Sequence, residues 1–282
     1  MGQQSRLEGI MNLIKEKKRI LVTATMSAGK STLVNALIGQ RVMMTRNESC
    51  TSKPWVITED SGADGLYAKH HQFKIKFKQN VAETLHHAEN LSLQLFTPMF
   101  RLVSRHSWEL IDTPGVNSTS DKDHQEVTEA YIRHGQYDVL LYVLNGSHLG
   151  TRDDLAHLRF VQNHVPHDKV IFVINKVDQF RNGQDSIATS LVTMEQQLKE
   201  LGFTYPIIQP ISAHAGYLMK CKLQEHDLSE DELDELRLYE RKFTRPEFDL
   251  STNRTAGSFN LLNQCGLYEL EQLIERKDVT YE

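Results

Sequence analysis

The sequence has 282 residues, of which 39% are hydrophobic and 24% charged, and its net charge is -5. This composition is that of a globular protein, and its mild acidity excludes a global electrostatic attraction to nucleic acid or anionic membranes. The three cysteines, Cys50, Cys221 and Cys265, are far apart and show no metal-ligand or disulfide spacing, which favours a reducing compartment. Because nothing approaches about 18 consecutive apolar residues, we expect no membrane span and a cytoplasmic location.

The first predicted element is an N-terminal helix over residues 1–18. Four apolar residues fall on one face at helical spacing: Leu7, Ile10, Met11 and Ile14. The basic run KEKKR, Lys15–Arg19, follows them and is interpreted as the solvated end of this helix, where cations favour the negative end of the helix dipole.

Apolar runs then alternate with amphipathic stretches. The runs that we interpret as strands are Ile20–Thr25, Lys53–Thr58, Phe73–Phe77, Trp108–Ile111, Val139–Leu144, Val170–Ile174 and Pro206–Ile211. The stretches with helical spacing are Ser31–Ile38, Val81–Leu95, Gln125–Arg133, Asp153–Asn163 and Ser186–Leu201. This alternation predicts the α/β class, with a central, mostly parallel sheet flanked by helices.

The stretch ILVTATMSAGKSTLVNALIG, Ile20–Gly39, has the pattern of a phosphate-binding loop between a strand and a helix. In such a loop, backbone N–H groups surround the phosphates, the lysine neutralises their charge and the Ser or Thr hydroxyl binds Mg²⁺. Lys30 and Ser31 fit the last two roles, and Gly29 permits a close approach of the backbone. The predicted nucleotide contacts in this loop are Ala24, Thr25, Met26, Ser27, Ala28, Gly29, Lys30, Ser31 and Thr32.

Ala24 stands where the usual phosphate-loop pattern has its first glycine. An alanine can occupy that turn if its φ angle is negative. We therefore interpret Ala24 as a tolerated variant of a working loop.

Two further segments are predicted to meet the γ-phosphate and the metal. DTPG, Asp112–Gly115, ends the run WELI, so that Asp112 can reach Mg²⁺ through water and Gly115 can donate its N–H to the γ-phosphate. Between the loop and this motif lies NESCTSKP, whose Thr51 can close over the γ-phosphate and complete the metal shell. The predicted cofactor is thus Mg²⁺, and its predicted ligands are Ser31, Thr51 and Asp112.

The base is predicted to bind at two other strand ends. NKVD, Asn175–Asp178, follows the run VIFVI, and the Asp178 carboxylate can accept hydrogen bonds from N1–H and the 2-amino group of guanine. Adenine has no such pair of donors. A backbone N–H after the last predicted strand can meet guanine O6. Because each motif lies at a strand end, where α/β proteins bind ligands, we predict a site for GTP or GDP. The base-side residues are Asn175, Lys176, Asp178, Ser212 and Ala213.

With TMSAGKSTLVNALIG, NESCT, DTPG and NKVD, the sequence resembles the dynamin superfamily of large GTPases, especially the bacterial dynamin-like proteins. The resemblance covers residues 19–215 and implies a dynamin-type GTPase domain over residues 19–250. Residues 1–18 would then be a neck-like helix, and residues 251–282 a C-terminal segment and helix that pack on this domain or on the neck. The long interval between Lys30 and Asp112 agrees with the enlarged G domain of this superfamily.

The resemblance also implies how GTP is hydrolysed. Ser27 matches the loop serine that helps to organise the hydrolytic site in this superfamily, but Met26 replaces the glutamine of typical dynamins. Val116 follows DTPG, where Ras-like enzymes have a glutamine that orients the attacking water. Dynamin-like G domains dimerise across the nucleotide face, so we expect hydrolysis to rise on self-association as a dimer. The implied catalytic residues are Ser27, Lys30, Thr51 and Gly115.

Other functions remain open at this stage. Met26 and Val116 slightly favour a nucleotide-gated switch or pseudo-GTPase that acts through a partner protein. The residues that favour the enzyme are Lys30, Ser31, Thr51 and Asp112. An Era-like GTPase of the ribosome is less favoured because no basic RNA-binding appendage is visible, so no nucleic-acid partner is predicted. The other predicted partners are a second G domain, a stalk-bearing protein, or a membrane to which the chain binds peripherally.

The acidic stretch LSEDELDELRLYERKF predicts a helix that begins with a capping box of Ser229 and Glu232. Its apolar stripe consists of Leu233, Leu236, Tyr239 and Phe243. We expect this stripe to pack against the domain, and docking of a partner is the alternative.

Overall fold

In a computed structural model of the protein, the described residues are 16–24, 27–43, 54–70, 73–77, 94–115, 122–146, 152–180, 186–251 and 260–277. Within these ranges nine strands form one sheet, in the order β4-β3-β5-β2-β6-β1-β7-β8-β9. The strands are β1 Lys17–Ala24, β2 Trp55–Glu59, β3 Leu66–His70, β4 Phe73–Phe77, β5 Gln94–Thr97, β6 Ser107–Asp112, β7 Val139–Asn145, β8 Val170–Asn175 and β9 Ile207–Pro210.

Five neighbouring strands of the sheet are parallel. β1 pairs in parallel with β6 and β7, and β8 pairs in parallel with both β7 and β9. β2 then joins β6 in the antiparallel direction, and β5, β3 and β4 extend the sheet beyond it. The parallel strands bring the motifs at their carboxyl ends to one edge.

Helices follow most of the strands. They are α1 Lys30–Ile38, α2 Lys122–His134, α3 Arg152–His164, α4 Ile187–Glu200, α5 Ala213–Leu223, α6 Glu230–Phe243, α7 Asn260–Gln264 and α8 Leu267–Arg276. α1 contacts β1, β6 and α5, and α4 contacts β9. The predicted α/β class, with a mostly parallel sheet flanked by helices, is therefore confirmed.

The core lies along the central strands. β7 and β8 read VLLYVLN and VIFVIN, and every residue of β8 is buried. Continuous apolar runs of this kind are typical of parallel strands covered on both faces. Trp108, Tyr142 and Phe172 are the large aromatic residues in this layer, each at most 1% exposed. This packing makes the strand ends a rigid base for the motifs.

Residues 16–19, the described part of the basic run, do not form the solvated helix end that the sequence suggested. β1 already begins at Lys17, and the Lys18 side chain is fully buried. The Lys18 ammonium donates to the backbone oxygens of Ile274 (3.0 Å), Glu275 (3.1 Å) and Lys277 (2.7 Å), at the end of α8. A cation at the negative end of a helix is favourable, which accounts for its burial. Residues 1–15 of the predicted helix lie outside the described residues.

Helical spacing also gave a wrong boundary before DTPG. The predicted helix Val81–Leu95 ends inside β5, where Leu95 pairs with Ile57 of β2 and is 1% exposed. Residues 81–93 lie outside the described residues. The predicted strand Lys53–Thr58 corresponds to β2, and β4 has the predicted bounds, whereas β3 was not predicted.

Two carboxylates of α8 fasten this helix to the rest of the domain. Glu275 accepts hydrogen bonds from Arg101 at 2.8 Å and from the indole N–H of Trp108 at 2.9 Å. Glu271 pairs with Lys220 of α5 at 2.6 Å, and both side chains are fully buried. Lys220 also donates to the Leu37 oxygen in the last turn of α1, at 3.0 Å. The C-terminal helix is thereby connected to the helix that follows the phosphate loop.

α6 has the predicted capping box, because the side chain of Ser229 accepts from the Glu232 N–H and the Glu232 carboxylate accepts from the Ser229 N–H. Within its apolar stripe, Leu236 and Phe243 are 1% and 0% exposed, so the predicted packing against the domain is confirmed for these two residues. Leu233 is 37% exposed at the start of the helix. The division of the chain at residues 18 and 250 stays a prediction.

Candidate functional site

The predicted motifs meet at one edge of the sheet. The loop at residues 27–29 follows β1, Asp112 is the last residue of β6, and Asn175 is the last residue of β8. β1 lies between β6 and β7, and β8 follows β7. Parallel pairing therefore places the phosphate-loop, DTPG and NKVD motifs side by side, as the sequence predicted.

Ala24 ends β1, and its backbone conformation does not require a glycine. It is the last strand residue, fully buried, and pairs with Val143 of β7. Its φ is not positive, since the described non-glycine residues with positive φ are Ser27, Lys176 and Glu225. An alanine therefore fits this position in the strand. Thr25 and Met26 lie outside the described residues.

Of the described loop residues, 27–29, two have left-handed backbone. Ser27 has φ 60 and an exposed side chain, and Gly29 has φ 87. Gly29 is the N-cap of α1, so the loop delivers its backbone to the positive end of that helix. Ala28 between them is 1% exposed. A helix N-terminus with free N–H groups attracts phosphate, which is the chemistry predicted for this loop.

Lys30 and Asp112 form the charged centre of the site. The Lys30 ammonium lies 2.6 Å from a carboxylate oxygen of Asp112, and their side chains are 12% and 4% exposed. Burial raises the pKa of the Asp112 carboxyl, although the charge of Lys30 and its hydrogen bond act in the opposite direction. Thr113 fixes the strand end, because its hydroxyl donates to the Val22 oxygen at 2.9 Å. The pair is thus held at the border between the β1 loop and β6.

Ser31 and Thr32 lie in the first turn of α1, next to Lys30. Ser31 and Asp112 offer one hydroxyl and one carboxylate, which are ligands that Mg²⁺ accepts together with phosphate oxygens. Within the described residues no group of three or more His, Cys, Asp or Glu side chains could hold a metal by itself. The donors therefore fit a magnesium ion that is shared with a nucleotide.

Of the two residues predicted to contact the γ-phosphate, Gly115 and Thr51, the structure describes Gly115. Among the described residues, no atom lies within 4 Å of a Cβ atom built on Gly115. Thr51 lies outside the described residues, and so does Val116.

Asn175 connects the phosphate loop to the segment after β9. Its side-chain nitrogen donates to the Ala28 oxygen at 3.0 Å, and its side-chain oxygen accepts from the Ala213 N–H at 3.0 Å. Gly29 packs directly on this amide, because a Cβ atom at Gly29 would lie 2.4 Å from the Asn175 nitrogen. The predicted base and phosphate residues are therefore parts of one bonded assembly.

Asp178 sits in a single 3-10 turn, Val177–Gln179, that follows Lys176 in the left-handed conformation. The Ser212 hydroxyl donates to its carboxylate at 2.5 Å. Ser212 also caps α5 by accepting from the Ala215 N–H. Ser212 therefore holds the Asp178 carboxylate at the edge of the sheet that also carries the phosphate loop.

Sequence reasoning missed one residue of this assembly, Lys242 in the last turn of α6. Its ammonium donates to the backbone oxygens of Asp178 and Phe180, the latter at 2.8 Å. It also lies 4.2 Å from the centre of the Phe248 ring. Burial lowers the pKa of Lys242, and the charge of Asp178 raises it. No short motif marks such a lysine, since its partners are backbone atoms 64 and 62 positions away.

The sequence model of the Dynamin family matches residues 20–177, which is more than half of the chain. The chain belongs to the dynamin family. Dynamin-like protein A of Bacillus subtilis is 26% identical over 196 residues, which cover 66% of this chain and 15% of that protein. The bacterial dynamin-like protein of Nostoc punctiforme is 23% identical over 263 residues, covering 85% of this chain and 35% of that protein. The chain thus spans a minor part of these dynamin-like relatives.

GTPase Era of Histophilus somni is 21% identical over 276 residues, covering 90% of this chain and 75% of that protein. Among solved structures, an oligomerised bacterial dynamin pair has a TM-score of 0.53 at 15% identity, covering 97% of this chain and 42% of that chain. A dimerization-deficient mutant of Toc33 from Arabidopsis thaliana has a TM-score of 0.50 at 14% identity, covering 97% of this chain and 87% of that chain. At such identities the two structures support the fold.

In the ranges that the structure describes, no helix is both long enough and apolar enough to cross a membrane.

Proposed function

We propose that this chain binds GTP and GDP at the edge formed by β1, β6 and β8 and hydrolyses GTP to GDP and phosphate. The observation that supports this most is the Asp178 carboxylate, held by Ser212 at 2.5 Å and connected through Asn175 to the phosphate loop. A carboxylate that is held in one position can accept hydrogen bonds from the two adjacent donors of guanine. GTPase Era of Histophilus somni, by its name, is a GTPase, and it is 21% identical to this chain over 276 residues.

Residues of the phosphate loop and of the neighbouring strand end would together bind the phosphates and the metal ion. Lys30 would neutralise the β- and γ-phosphates, and the N–H groups of the loop around Gly29 would bind their oxygens. The phosphates would compete with Asp112 for the Lys30 ammonium, which now pairs with that carboxylate at 2.6 Å. Asp112 and Ser31 would hold Mg²⁺, which supplies charge neutralisation at the phosphate oxygens. Thr51 completes the predicted ligand set.

Recognition of the γ-phosphate is assigned to Thr51 and Gly115. A Cβ atom built on Gly115 would meet no described residue within 4 Å, which agrees with a close approach of a ligand to this backbone. Both residues would engage GTP and not GDP, so they would distinguish the two states of the site.

The base side is tested with Asp178→Asn. An amide offers one donor and one acceptor, so it mismatches guanine and matches xanthine, which has an oxygen in place of the 2-amino group. Each lost charged hydrogen bond costs about 1.5–3 kcal/mol, so GDP should bind at least tenfold more weakly and xanthosine diphosphate more tightly. Isothermal calorimetry with both nucleotides measures this exchange.

Asp234→Asn is the matched control, since its carboxylate is 70% exposed on α6 and pairs with Arg237 of the same helix. It should leave both affinities unchanged. Equal binding of ADP and GDP by the unmodified protein would contradict the assignment of Asp178 to guanine.

We also propose that hydrolysis is stimulated by a second copy of the chain facing the nucleotide. Val116 has no group that can orient water, and Ser27 is exposed at the tip of the loop with φ 60. Backbone strain of this kind is often kept at functional positions. The solved bacterial dynamin pair is oligomerised, and a facing G domain would exclude water and fix Ser27 around the γ-phosphate.

Phosphate release per chain, followed over a hundredfold range of protein concentration, tests this proposal. Phosphate release per chain should increase with protein concentration. Ser27→Ala should make this increase smaller and leave the GDP affinity unchanged. Thr193→Ala, which removes an exposed hydroxyl of α4, should climb like the unmodified protein. A constant turnover by a protein that light scattering shows to be monomeric would favour the nucleotide-gated switch instead.

The solved bacterial dynamin pair is described as sensing and tethering membranes. We propose a corresponding peripheral membrane role for this chain, either directly or through a stalk-bearing partner. Flotation with anionic vesicles, with GTP or GDP present, tests direct binding, and recovery of all protein at the bottom of the gradient would favour the partner. The absence of a nucleic-acid partner stays a prediction.

A further inference from the structure

The turn that carries Asp178 has few hydrogen bonds of its own. It is a 3-10 turn of three residues, closed by bonds from Gln179 N–H to the Lys176 oxygen and from Phe180 N–H to the Val177 oxygen. Such short turns have weak hydrogen-bond geometry and leave carbonyl groups at their ends. The position of the Asp178 backbone therefore depends on groups outside the turn.

Lys242 supplies the contact from outside. Its ammonium binds the oxygens of both Asp178 and Phe180, so one cation spans the end of the turn. A positive charge at the carbonyl end of a helical turn is favourable, and an ammonium has three donors for this purpose. The Phe248 ring at 4.2 Å stabilises the cation further and restricts its position.

The helix that carries Lys242 is itself well fixed. α6 begins with the capping box and buries Leu236 and Phe243. Its Tyr239 hydroxyl lies 3.2 Å from the ring nitrogen of His214, one residue beyond the Ala213 N–H that binds Asn175. Because Leu236, Tyr239 and Phe243 attach α6 to the domain, Lys242 approaches the turn from a defined direction.

Two groups therefore hold Asp178 from opposite ends of the residue. The Ser212 hydroxyl binds the carboxylate, and Lys242 binds the backbone oxygen. We propose that Lys242 is a positioning residue for base selection, which fixes the backbone of Asp178 so that its carboxylate can meet two donors of guanine at once. This inference rests on the proposed binding of guanine nucleotides at Asp178.

Hypoxanthine tests the second of the two donors, because it has the N1–H of guanine and lacks the 2-amino group. The ratio of GDP affinity to inosine diphosphate affinity thus reports how well the carboxylate meets that amino group. A lysine that only attaches α6 to the domain would change both affinities equally and leave the ratio constant.

The experiment compares Lys242→Met with Lys222→Met by calorimetry with GDP and inosine diphosphate. Methionine keeps an unbranched apolar side chain at this position and removes the charge. Lys222 is the matched control, since its ammonium also binds α6, at Glu240 and 2.9 Å, without touching the turn. We expect the GDP to inosine diphosphate ratio to fall roughly three- to tenfold in Lys242→Met, and to stay unchanged in Lys222→Met.

A second pair of variants separates this inference from the proposed function. In an Asp178→Ala background the ratio should already be low, and adding Lys242→Met should not lower it further. If the unmodified protein shows no preference for GDP and Asp178→Ala changes nothing, the proposed function fails. If Asp178→Ala lowers the ratio but Lys242→Met does not, the inference about Lys242 alone is overturned.

Thermal unfolding of each variant, with and without GDP, checks that the domain is folded. Should Lys242→Met not fold, Lys242→Gln takes its place, because an amide can still donate to one of the two oxygens. Its ratio should fall between those of the unmodified protein and Asp178→Ala. A ratio equal to that of the unmodified protein would overturn the positioning role.

Discussion

Replacing Gly29 by alanine perturbs the contact between the phosphate loop and the base-side motif. Gly29 has φ 87, and the new Cβ atom would lie 2.4 Å from the side-chain nitrogen of Asn175. Real Cβ atoms do not approach so closely, so the Asn175 amide must move. It would then lose its bonds to the Ala28 oxygen and the Ala213 N–H, both of 3.0 Å.

The magnitude follows from these two effects. A left-handed conformation costs an ordinary residue roughly 1–2 kcal/mol. Two hydrogen bonds contribute about 0.5–1.5 kcal/mol each. Gly29→Ala should therefore lower the free energy of unfolding by about 2–5 kcal/mol and weaken GDP binding at the same time, because the loop and Asn175 both shift.

Gly202→Ala is the control for the backbone effect alone. Gly202 also has a positive φ, of 104, and its new Cβ atom would meet the flexible end of Gln162 at 3.0 Å, far from the site. Urea denaturation should show a loss of roughly 1–2 kcal/mol and an unchanged GDP affinity. If Gly29→Ala costs no more than Gly202→Ala and binds GDP normally, Asn175 does not join the two halves of the site.

Further variants test the phosphate side and the buried ion pair. Lys30→Ala should abolish nucleotide binding in calorimetry, and retained affinity would contradict its role. Thr51→Ala should keep GDP affinity but stop phosphate release, and an equal loss of GDP and GTP binding would remove Thr51 from the γ-phosphate. Lys220→Met leaves the Glu271 carboxylate fully buried without its cation, so urea denaturation should show a loss of about 3–5 kcal/mol, which Glu271→Gln in the same chain should partly restore.

The strands of the parallel block could be predicted because their sequences are nearly all apolar. A run such as VIFVIN at Val170–Asn175 is typical of a strand covered on both faces, and the strand ends at Asn175, where the NKVD motif begins. The proximity of the motifs then followed from the fold, because parallel strands bring their carboxyl ends together. Spacing along the chain was sufficient for this part of the site.

Contacts between distant segments could not be predicted in the same way. Lys18 has a basic neighbour on each side, a pattern typical of a solvated surface, and its burial depends on carbonyl groups at residues 274–277. Leu95 fits a helical pattern as well as a strand, and pairing with β2 decides between them. Lys242 resembles an ordinary basic residue at a helix end until its two acceptors are known.

The burial of Lys18 has a consequence for the synthesis of the chain. β1 is a central strand of the sheet and leaves the ribosome well before residues 274, 275 and 277, whose carbonyl groups bind the Lys18 ammonium. Domains fold as units during translation, and a buried ammonium without these acceptors opposes closure of the core. The domain should therefore reach its final protease resistance only after residue 277 has left the exit tunnel. Lys18→Met should let shorter nascent chains resist cleavage.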